Sequence, residues 1–340
     1  MVETVHPAQI ESQLQQIWDS LQGTNKMRAC LFNLIVYAKK CQRSGYLNDI
    51  VQKVIEKFPS RIIFITYDDA CSSKELKASV SVMTADEGEC EIVCDLIDIE
   101  VCSKDHPRVP FVILPHILPD LPIYLVHADD PTYKNPVAKQ LENLADRIIF
   151  DSEAASDLQA YAKAVLSHME TFHADVADLN WARTEGWRQL FANIFKSEEA
   201  LSHIQKAKKI TITYNSKTAD YLCHTDVQAI YFKGWLTVQL GFETEIELVA
   251  GEMEEVHPGR LLAITVETSE GYHYLFKRKE GRPEHILIEK SSPEACEVPT
   301  IHVFDKATSG QSLVKEICHK GTSAHYTNML KYLIEGAPHG

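Results

Sequence analysis

Two pairs of adjacent carboxylates are the first candidates for chemistry in this sequence. Asp68 and Asp69 follow one predicted strand, and Asp129 and Asp130 follow another, with His127 two residues before Asp129. Paired carboxylates can bind a cation or act as general acid and base, and a nearby histidine can carry a proton. Asp is also common in turns at strand ends, because it hydrogen-bonds its own backbone, and that role is the more frequent one. The sequence leaves both interpretations open.

The usual sequence signatures of nucleotide and hydrolase sites are absent. The chain has neither GxGxxG nor GxxxxGK[ST], which form the two common backbone cradles for nucleotide phosphates. It also has neither HExxH nor GxSxG. These absences agree with a protein that has no cofactor, no bound metal and no catalytic residue.

The nine cysteines form no regular disulfide or zinc framework. No CxxC pair is present, and the histidines are scattered, so we predict no zinc site. An odd number of cysteines in a protein expected to be cytosolic predicts that most are free thiols. Cys90 and Cys94 alternate with Ile92 and Leu96 along a predicted strand, which predicts buried, unpaired thiols and little effect of oxidants.

Composition restricts the class of partner. The chain of 340 residues has 48 acidic and 34 basic side chains, a net charge of −14. Such an acidic protein is poorly suited to bind nucleic acid or an anionic membrane. The sequence contains no bilayer-spanning apolar run, and its polar amino terminus does not resemble a secretory signal. We therefore expect a cytoplasmic protein of two domains.

Residues 1–196 are predicted to form an α/β domain. Helices alternate with buried strands over most of this range, and a turn at Asp86, Glu87 and Gly88 predicts one hairpin. The predicted strands are 27–38, 61–67, 77–84, 89–101, a strand ending at Val126, and 147–152. The pattern predicts an open sheet, mostly parallel or mixed, with helices, whose strand ends carry loops that can face a ligand.

Residues 197–340 are predicted to form an α+β domain with an antiparallel sheet and one long helix, from about Thr218 to Leu240. A closing helical pair is expected on either side of Gly321. The predicted strands are 209–214, 242–250, 261–268, 271–278, 285–290 and 298–304.

The sequence LPDLP at 118–122 predicts a rigid turn between two buried elements. Pro119 and Pro122 restrict the backbone on both sides of Asp120. We therefore predict that Pro119, Asp120 and Pro122 have a structural role in the fold.

The segment DLNWARTEGWRQLFANIF at 178–195 has two interpretations. A helix beginning near Thr184 places Trp187, Phe191 and Ile194 on one apolar face, which is typical of a core helix. Trp187 and Phe191 are then structural residues.

The polar and aromatic residues of the same segment suggest a recognition element. Tryptophan and arginine are enriched at interface hot spots. The candidate partner-binding residues are Asp178, Asn180, Trp181, Arg183 and Arg188, of which the first four precede the helix in a predicted turn.

Several segments together resemble one family. MRACLFNLIVYA, PSRIIFI, ILPDLPIYL, ADRIIFDS and DLNWARTEGWRQLFANIF, in this order, are similar to the OpcA family of glucose-6-phosphate dehydrogenase assembly proteins. The similarity covers most of the chain, and the DLNW motif with the following W-R pair is its most specific part. YFKGWLTVQLGF at 231–242 resembles the second domain of that family.

The resemblance implies a protein without catalysis of its own that binds glucose-6-phosphate dehydrogenase, promotes its active oligomer and raises its activity. The alternative is an enzyme or a sugar-phosphate sensor. In that alternative, Arg183, Arg188 and the strand-end carboxylates line a pocket of the α/β domain.

Overall fold

The computed structural model describes residues 3–68, 70–71, 76–85, 91–102, 108–222, 224–241, 244–304 and 311–335. Asp69, Cys90 and the predicted turn at Asp86, Glu87 and Gly88 lie outside these ranges.

Strands and α-helices alternate in the first half, and strands dominate the second. The strands are β1 (Glu3–Val5), β2 (Lys26–Arg28), β3 (Asn33–Lys39), β4 (Arg61–Tyr67), β5 (Leu76–Ala85), β6 (Glu91–Val101), β7 (Ile123–His127), β8 (Arg147–Phe150), β9 (Asp175–Asp178), β10 (Ala207–Asn215), β11 (Glu245–Gly251), β12 (Leu261–Thr268), β13 (His273–Lys279), β14 (Arg282–Ser291) and β15 (Thr300–Val303). The helices are α1 (Ile10–Ser20), α2 (Gln42–Ile55), α3 (Val109–Ile113), α4 (Pro136–Glu142), α5 (Leu158–Thr171), α6 (Leu179–Arg183), α7 (Glu185–Ile194), α8 (Glu198–Gln205), α9 (Val227–Leu240), α10 (Gln311–Cys318) and α11 (Ala324–Glu335). None of the helices in the described ranges combines the length and hydrophobicity that a bilayer span requires.

The chain folds into two compact units. Unit 1 comprises Met1–Ser156, Ala164–Leu179 and Ser309–Thr322, and unit 2 comprises Asp157–Lys163, Asn180–Thr308 and Ser323–Gly340. The contacts therefore group Asn180–Phe195 with the second unit, whereas the sequence division at 196/197 assigns these residues to the first domain. That division stays a prediction.

Unit 1 contains a nine-stranded sheet in the order β1-β5-β6-β4-β3-β7-β8-β9, with β2 paired to β6. Strands β6, β4, β3, β7, β8 and β9 are parallel to their neighbours in this series. Counted along the chain, they have the 3-2-1-4-5-6 order of doubly wound α/β sheets. Because β1 and β5 add antiparallel pairs at one edge, the sheet is mixed, as predicted.

The core of unit 1 explains why its central strands have almost no polar interruption. Leu34 and Val36 of β3 pack with Val51 and Val54 of α2, and all four side chains are inaccessible to solvent or nearly so. Ile317 of α10 joins the same cluster. A parallel strand that is buried on both faces needs apolar residues at consecutive positions, so its sequence does not alternate.

The predicted single strand at 27–38 is wrong, because this range contains two strands. β2 pairs with β6, whereas β3 begins at Asn33 and pairs with β4 and β7. Met27 and Leu31 are 53% and 54% exposed. The apolar run thus includes exposed residues that precede the buried strand β3.

The sequence predicts that most cysteines are free thiols, but it does not reveal the disulfide that Cys71 and Cys102 form. They follow β4 and β6, neighbouring parallel strands in which Tyr67 pairs with Val101. The pairing arises from sheet neighbours 31 residues apart in sequence, so spacing alone does not reveal it. Cys94 is a free, buried thiol, as predicted.

Unit 2 contains a six-stranded sheet in the order β11-β10-β12-β13-β14-β15, in which only β10 and β11 are parallel among these neighbours. The predicted α+β class is confirmed. The long helix α9 begins at Val227 instead of Thr218. It packs closely on α11 at Gly234, where an added Cβ would lie 3.1 Å from Met329 Cγ.

Helix α7 supplies the aromatic core of unit 2. The Phe191 ring lies 4.7 Å from that of Phe195, 5.9 Å from Phe232 and 5.8 Å from Phe276. Trp187 is 2% exposed and contacts the Phe304 ring edge to face at 5.3 Å. Helix α7 thus buries the apolar face that its sequence predicts.

The predicted turn before α7 is instead the end of β9 followed by the short helix α6. Thr184 occupies the N-cap position of α7, but its backbone is helical and its side chain caps no backbone N–H. Its hydroxyl donates to the Trp181 carbonyl at 3.0 Å. The helical backbone of α6 continues into α7, which prevents the extended geometry that a capping side chain needs.

The LPDLP turn is held by the buried side chain of Asn33 at the start of β3. Its Oδ1 accepts a hydrogen bond from the Leu118 N–H at 2.8 Å. Its Nδ2 donates to the carbonyls of Leu118 and Leu121 at 3.0 and 3.3 Å. Asp120 adopts φ 64°, the left-handed region that Asp tolerates better than most residues. This single amide therefore satisfies the backbone on both sides of the turn.

We expect Asn33→Ala to lower the free energy of unfolding by about 2 kcal/mol, because three backbone groups lose their partner. Pro122→Ala should cost less, about 1 kcal/mol or under, through greater freedom of the unfolded chain. Urea denaturation followed by circular dichroism measures both. Equal stability of Asn33→Ala and the unmodified chain would contradict the role of Asn33.

We expect Trp187→Ala to cost roughly 3 to 5 kcal/mol, since it empties a core site. Trp187→Phe is the matched control: the buried indole N–H has no hydrogen-bond partner within the described ranges, so only volume is lost. The control should cost about 1.5 kcal/mol or less. Thermal melts of the two variants test this, and similar losses would show that packing volume is not what Trp187 contributes.

Candidate functional site

The five predicted partner-binding residues are divided between the two units. Asp178 ends β9 in unit 1, is fully buried and accepts a hydrogen bond from the Ser152 hydroxyl at 3.1 Å. The other four residues, Asn180, Trp181, Arg183 and Arg188, lie in unit 2, on α6 and α7.

Within unit 2 these four residues form two sets of side-chain contacts. The Arg188 guanidinium stacks 3.5 Å from the centroid of the Trp181 ring and donates to the Trp181 carbonyl at 2.6 Å. Arg183 donates to Asn180 Oδ1 at 2.9 Å, and Gln228 donates to the same oxygen at 3.3 Å. The two sets tie α6, α7 and α9 together.

The tryptophan of this proposed recognition element is buried. Trp181 is 6% exposed and its ring packs 5.6 Å from the Tyr326 ring. Asn180 is fully buried, whereas Arg183 and Arg188 are half-buried. Because α6 is a helix and not a turn, its aromatic side chain packs inward. The partner-binding role of the five residues stays a prediction.

The strand-end carboxylates accept hydrogen bonds from their own turns, and two of them, Asp129 and Asp130, also bind groups that are distant in sequence. Asp130 accepts hydrogen bonds from the backbone N–H and the hydroxyl of both Thr132 and Ser156. Burial opposes its ionisation, but these bonds outweigh burial and lower its pKa. Asp129 accepts from the Tyr67 hydroxyl at 2.5 Å, and Asp68 accepts from the Ala70 N–H at 3.0 Å. The geometry fits the turn interpretation, except that Asp130 is buried and not solvated.

A buried carboxylate between two histidines lies nearby in unit 1. Glu142 of α4 is 3% exposed, and its Oε1 lies 2.9 Å from Nδ1 of His127 at the end of β7. Its Oε2 lies 3.2 Å from Nε2 of His168 on α5. Three elements thus meet through one carboxylate, and His127 interacts with Glu142 where the sequence suggested Asp129.

The contacts between Glu142 and the two histidines shift the pKa values of Glu142 and His168. Burial opposes ionisation of Glu142, but its close contacts with His127 and His168 outweigh burial and lower the pKa of Glu142 to about 2. Burial also opposes protonation of His168, yet the hydrogen bond and charge of Glu142 raise its pKa above the ordinary value. The histidine therefore carries a positive charge over a wider pH range than a free imidazole.

The three side chains form the floor of a cavity of about 480 Å³. Its lining comes entirely from unit 1: residues 131–136 after β7, two turns of α4, and the last part of α5. The lining residues are His127, Pro131, Thr132, Tyr133, Lys134, Asn135, Pro136, Ala138, Lys139, Glu142, Ser167, His168, Thr171 and Phe172. The volume lies in the range of small-molecule sites.

Glu142 and His168 are not among the candidate residues predicted from the sequence. Each occupies a position on the buried side of its helix: Glu142 follows Leu141 on α4, and His168 lies three residues after Val165 on α5. A charged or ionisable residue at a core position of an amphipathic helix is the signal that could have identified both.

The chain is similar to curated proteins named OxPP cycle protein OpcA. It is 26% identical over 173 residues to that of Synechococcus elongatus and 26% identical over 207 residues to that of Synechocystis sp.. The alignments cover 50% and 60% of this chain but only 36% and 41% of the relatives. The chain thus matches about two fifths of their length.

Among solved structures, the chain resembles KijD10, a 3-ketoreductase from Actinomadura kijaniata in complex with TDP-benzene and NADP. The TM-score is 0.52 at 7% identity, with 89% of this chain and 96% of that chain covered. UDP-N-acetylglucosamine 3-dehydrogenase GnnA from Acidithiobacillus ferrooxidans gives a TM-score of 0.49 at 9% identity, with 90% and 97% covered. The similarity to KijD10 shows the fold alone.

The residues after β3 do not fit a dinucleotide. In doubly wound sheets the pyrophosphate lies on a glycine-rich first turn after the first strand. Here the first turn of α2 carries Arg43, which is buried and forms ion pairs with Asp151 and Glu153 beyond β8. Two buried carboxylates beside this turn would repel a pyrophosphate.

Two family models match consecutive parts of the chain. One, described as the N-terminal domain of a glucose-6-phosphate dehydrogenase subunit, matches residues 51–167, and one described as the C-terminal domain matches residues 174–330. The two matches together span most of the sequence and both units. The chain therefore belongs to the OpcA family.

Proposed function

We propose that this protein binds glucose-6-phosphate dehydrogenase, promotes its active oligomer and raises its activity without catalysing a reaction itself. The observation that carries the proposal is the match of both family models, which describe the two domains of a subunit of that enzyme. The name of the curated relatives links them to the OxPP cycle. A cytoplasmic location fits this role.

The chemistry of unit 1 favours this proposal over the alternative of an enzyme that uses strand-end carboxylates and arginines. None of Asp68, Asp129, Asp130, Arg183 and Arg188 lines the described cavity. The hydrogen bonds of Asp130 stabilise its carboxylate form, which makes it a poor proton acceptor at neutral pH. A binding function needs none of these groups to react.

One candidate contact surface is the region around Arg183. This side chain is half-buried, so part of its surface faces solvent. Arginine beside a buried aromatic network is a common composition for an interface anchor.

A second candidate is the edge strand β15 with the residues just before it. β15 pairs only with β14 among the described strands. Val298, Ile301 and Val303 are 85%, 52% and 56% exposed. Natural sheet edges are usually protected by charge, proline or a covering element, so an exposed apolar edge favours contact with a partner.

The proposal is tested by mixing the purified protein with glucose-6-phosphate dehydrogenase from the same source. Size-exclusion chromatography with light scattering should show a complex and a larger dehydrogenase oligomer, and the dehydrogenase rate should rise on addition of the protein. No complex and no change in rate at micromolar concentrations of both proteins would refute it.

We expect Arg183→Ala to weaken binding to the dehydrogenase by about 2 kcal/mol, roughly thirtyfold in affinity. The fold should be nearly unaffected, because Asn180 Oδ1 keeps the hydrogen bond from Gln228. Lys331→Ala on α11 is the control, since it removes the same charge from an exposed site. Titration and circular dichroism melts of both variants give affinity and stability.

Unchanged affinity with a lower melting temperature would show that Arg183 supports the fold. The double variant Ile301→Lys with Val303→Lys then tests the edge strand in the same titration. Loss of binding in that variant alone would assign the contact to β15.

A further inference from the structure

We propose that the cavity over His127, Glu142 and His168 binds a small phosphorylated metabolite. The inference concerns unit 1 alone and does not depend on whether the chain binds a dehydrogenase. It rests on the charge, the hydrogen-bond donors and the place of the cavity in the fold.

The cavity is a positive site in an acidic protein. Lys134 and Lys139 are exposed at its rim, and His168 contributes a third cationic group. Glu142 is the one carboxylate in the described lining, whereas the whole chain has a net charge of −14. A local excess of positive charge on such a chain favours an anionic ligand.

The rim lysines are available to a ligand. Within the described ranges, neither Lys134 nor Lys139 has a carboxylate at ion-pair distance, whereas Lys26, Lys40 and Lys53 of the same unit form ion pairs. An ammonium group that has no internal partner retains its capacity for a charge-assisted hydrogen bond to phosphate.

The histidines of the floor are held in fixed orientations. His168 acts on a ligand through its charge, because its Nε2 contacts Glu142 and its Nδ1 lies 2.7 Å from the Ala164 carbonyl oxygen. Because both histidines contact the carboxylate of Glu142 directly, their rings are held by the protein before any ligand arrives. This direct pairing also distinguishes the cluster from a metal site, and among the described residues no group of three His, Cys, Asp or Glu side chains has an arrangement that could hold a metal ion. A preorganised cation loses little entropy when an anion binds.

The walls combine a hydroxyl donor with apolar surface. The Ser167 hydroxyl can donate to a phosphate oxygen, whereas the hydroxyls of Thr132 and Thr171 already donate to Asp130 and to the Ser167 carbonyl. Phe172 and Ala138 can pack on a carbon skeleton. A cavity of about 480 Å³ exceeds what inorganic phosphate alone fills, so the ligand class is a phosphate ester.

The cavity lies where doubly wound sheets bind ligands, outside the carboxyl ends of the strands. The strand order of the sheet reverses between β3 and β7, and this place is its switch point. His127 ends β7, and residues 131–136 form the connection that follows. Ligand binding here uses the β7–α4 connection, whereas a dinucleotide would use the turn after β3.

The test is isothermal titration of the full chain with glucose 6-phosphate, inorganic phosphate, glucose and gluconate. We expect saturable binding of glucose 6-phosphate at one site, weaker binding of inorganic phosphate, and none of glucose or gluconate. Removing both lysines, in Lys134→Ala with Lys139→Ala, should weaken the sugar phosphate about tenfold or more. The control Lys57→Ala lies at an exposed site outside the cavity and should bind normally.

A pH arm tests His168 separately. Glu142 and Lys139 of α4 and His127 of β7 are the titratable groups that face it, and the carboxylate dominates. Protonated His168 attracts phosphate and its pKa is raised, so binding should tighten as pH falls from the alkaline range to about 7, where the ester remains mostly a dianion. His168→Gln should bind more weakly and lose most of this dependence.

No binding of any phosphate compound at millimolar concentration would overturn the proposal. Equal affinity of the double lysine variant and the unmodified chain would also overturn it, because the ligand would then lie elsewhere. Binding of gluconate as tight as that of the sugar phosphate would show a carboxylate site instead.

Discussion

The hydrogen bonds of one buried amide, Asn33, fix the geometry on which unit 1 depends. Asn33 begins the central strand β3, its backbone N–H donates to the Pro122 carbonyl at 2.8 Å, and its side chain holds both ends of the LPDLP turn. The strand that follows the turn is β7, so this residue sets the alignment of the two strands that border the switch point. The aligned strands then carry Tyr37 and His127 to the same edge of the sheet.

Buried arginines connect the remaining elements of unit 1. Arg61 of β4 binds Asp95 of β6 at 2.7 Å and Glu11 of α1 at 2.9 Å. Arg147 of β8 binds Glu316 of α10 at 2.7 Å. Removing one partner of such a pair leaves an uncompensated buried charge, so these pairs specify which elements meet even where their net stabilisation is small. They explain how α10, near the end of the sequence, belongs to the first unit.

The sequence predicted those features that depend on local apolar patterning. Strand β4 has the predicted bounds, and helix α7 was found from its spacing, because it buries a face that the pattern displays directly. Both fold classes followed from the order of the predicted elements. The disulfide, β9 and the inward orientation of Trp181 were missed, since each depends on neighbours distant in sequence.

The candidate site was harder to predict for the same reason. His127 was identified, but its partner was not, because Glu142 comes from a different element and approaches through the fold. A pair such as Asp129 and Asp130 attracts attention since it is adjacent in sequence, yet adjacency in a strand-end turn usually reflects backbone hydrogen bonding. An ionisable residue in the buried stripe of a helix is a better indicator, since burial without a partner is costly.

The two sides of the switch point have opposite charge, and this difference explains how one fold can change its ligand. After β3, Arg43 is neutralised by two buried carboxylates, which leaves an acidic environment at the turn where dinucleotides bind in this fold. After β7, the Glu142 carboxylate lies between two histidines, and two exposed lysines line the same cavity, which leaves a basic environment. Both sets lie at the carboxyl edge of the same sheet, so the backbone scaffold can be retained while the anion-binding position changes. A phosphorylated ligand would therefore bind beside β7 without the glycine-rich turn that dinucleotides require.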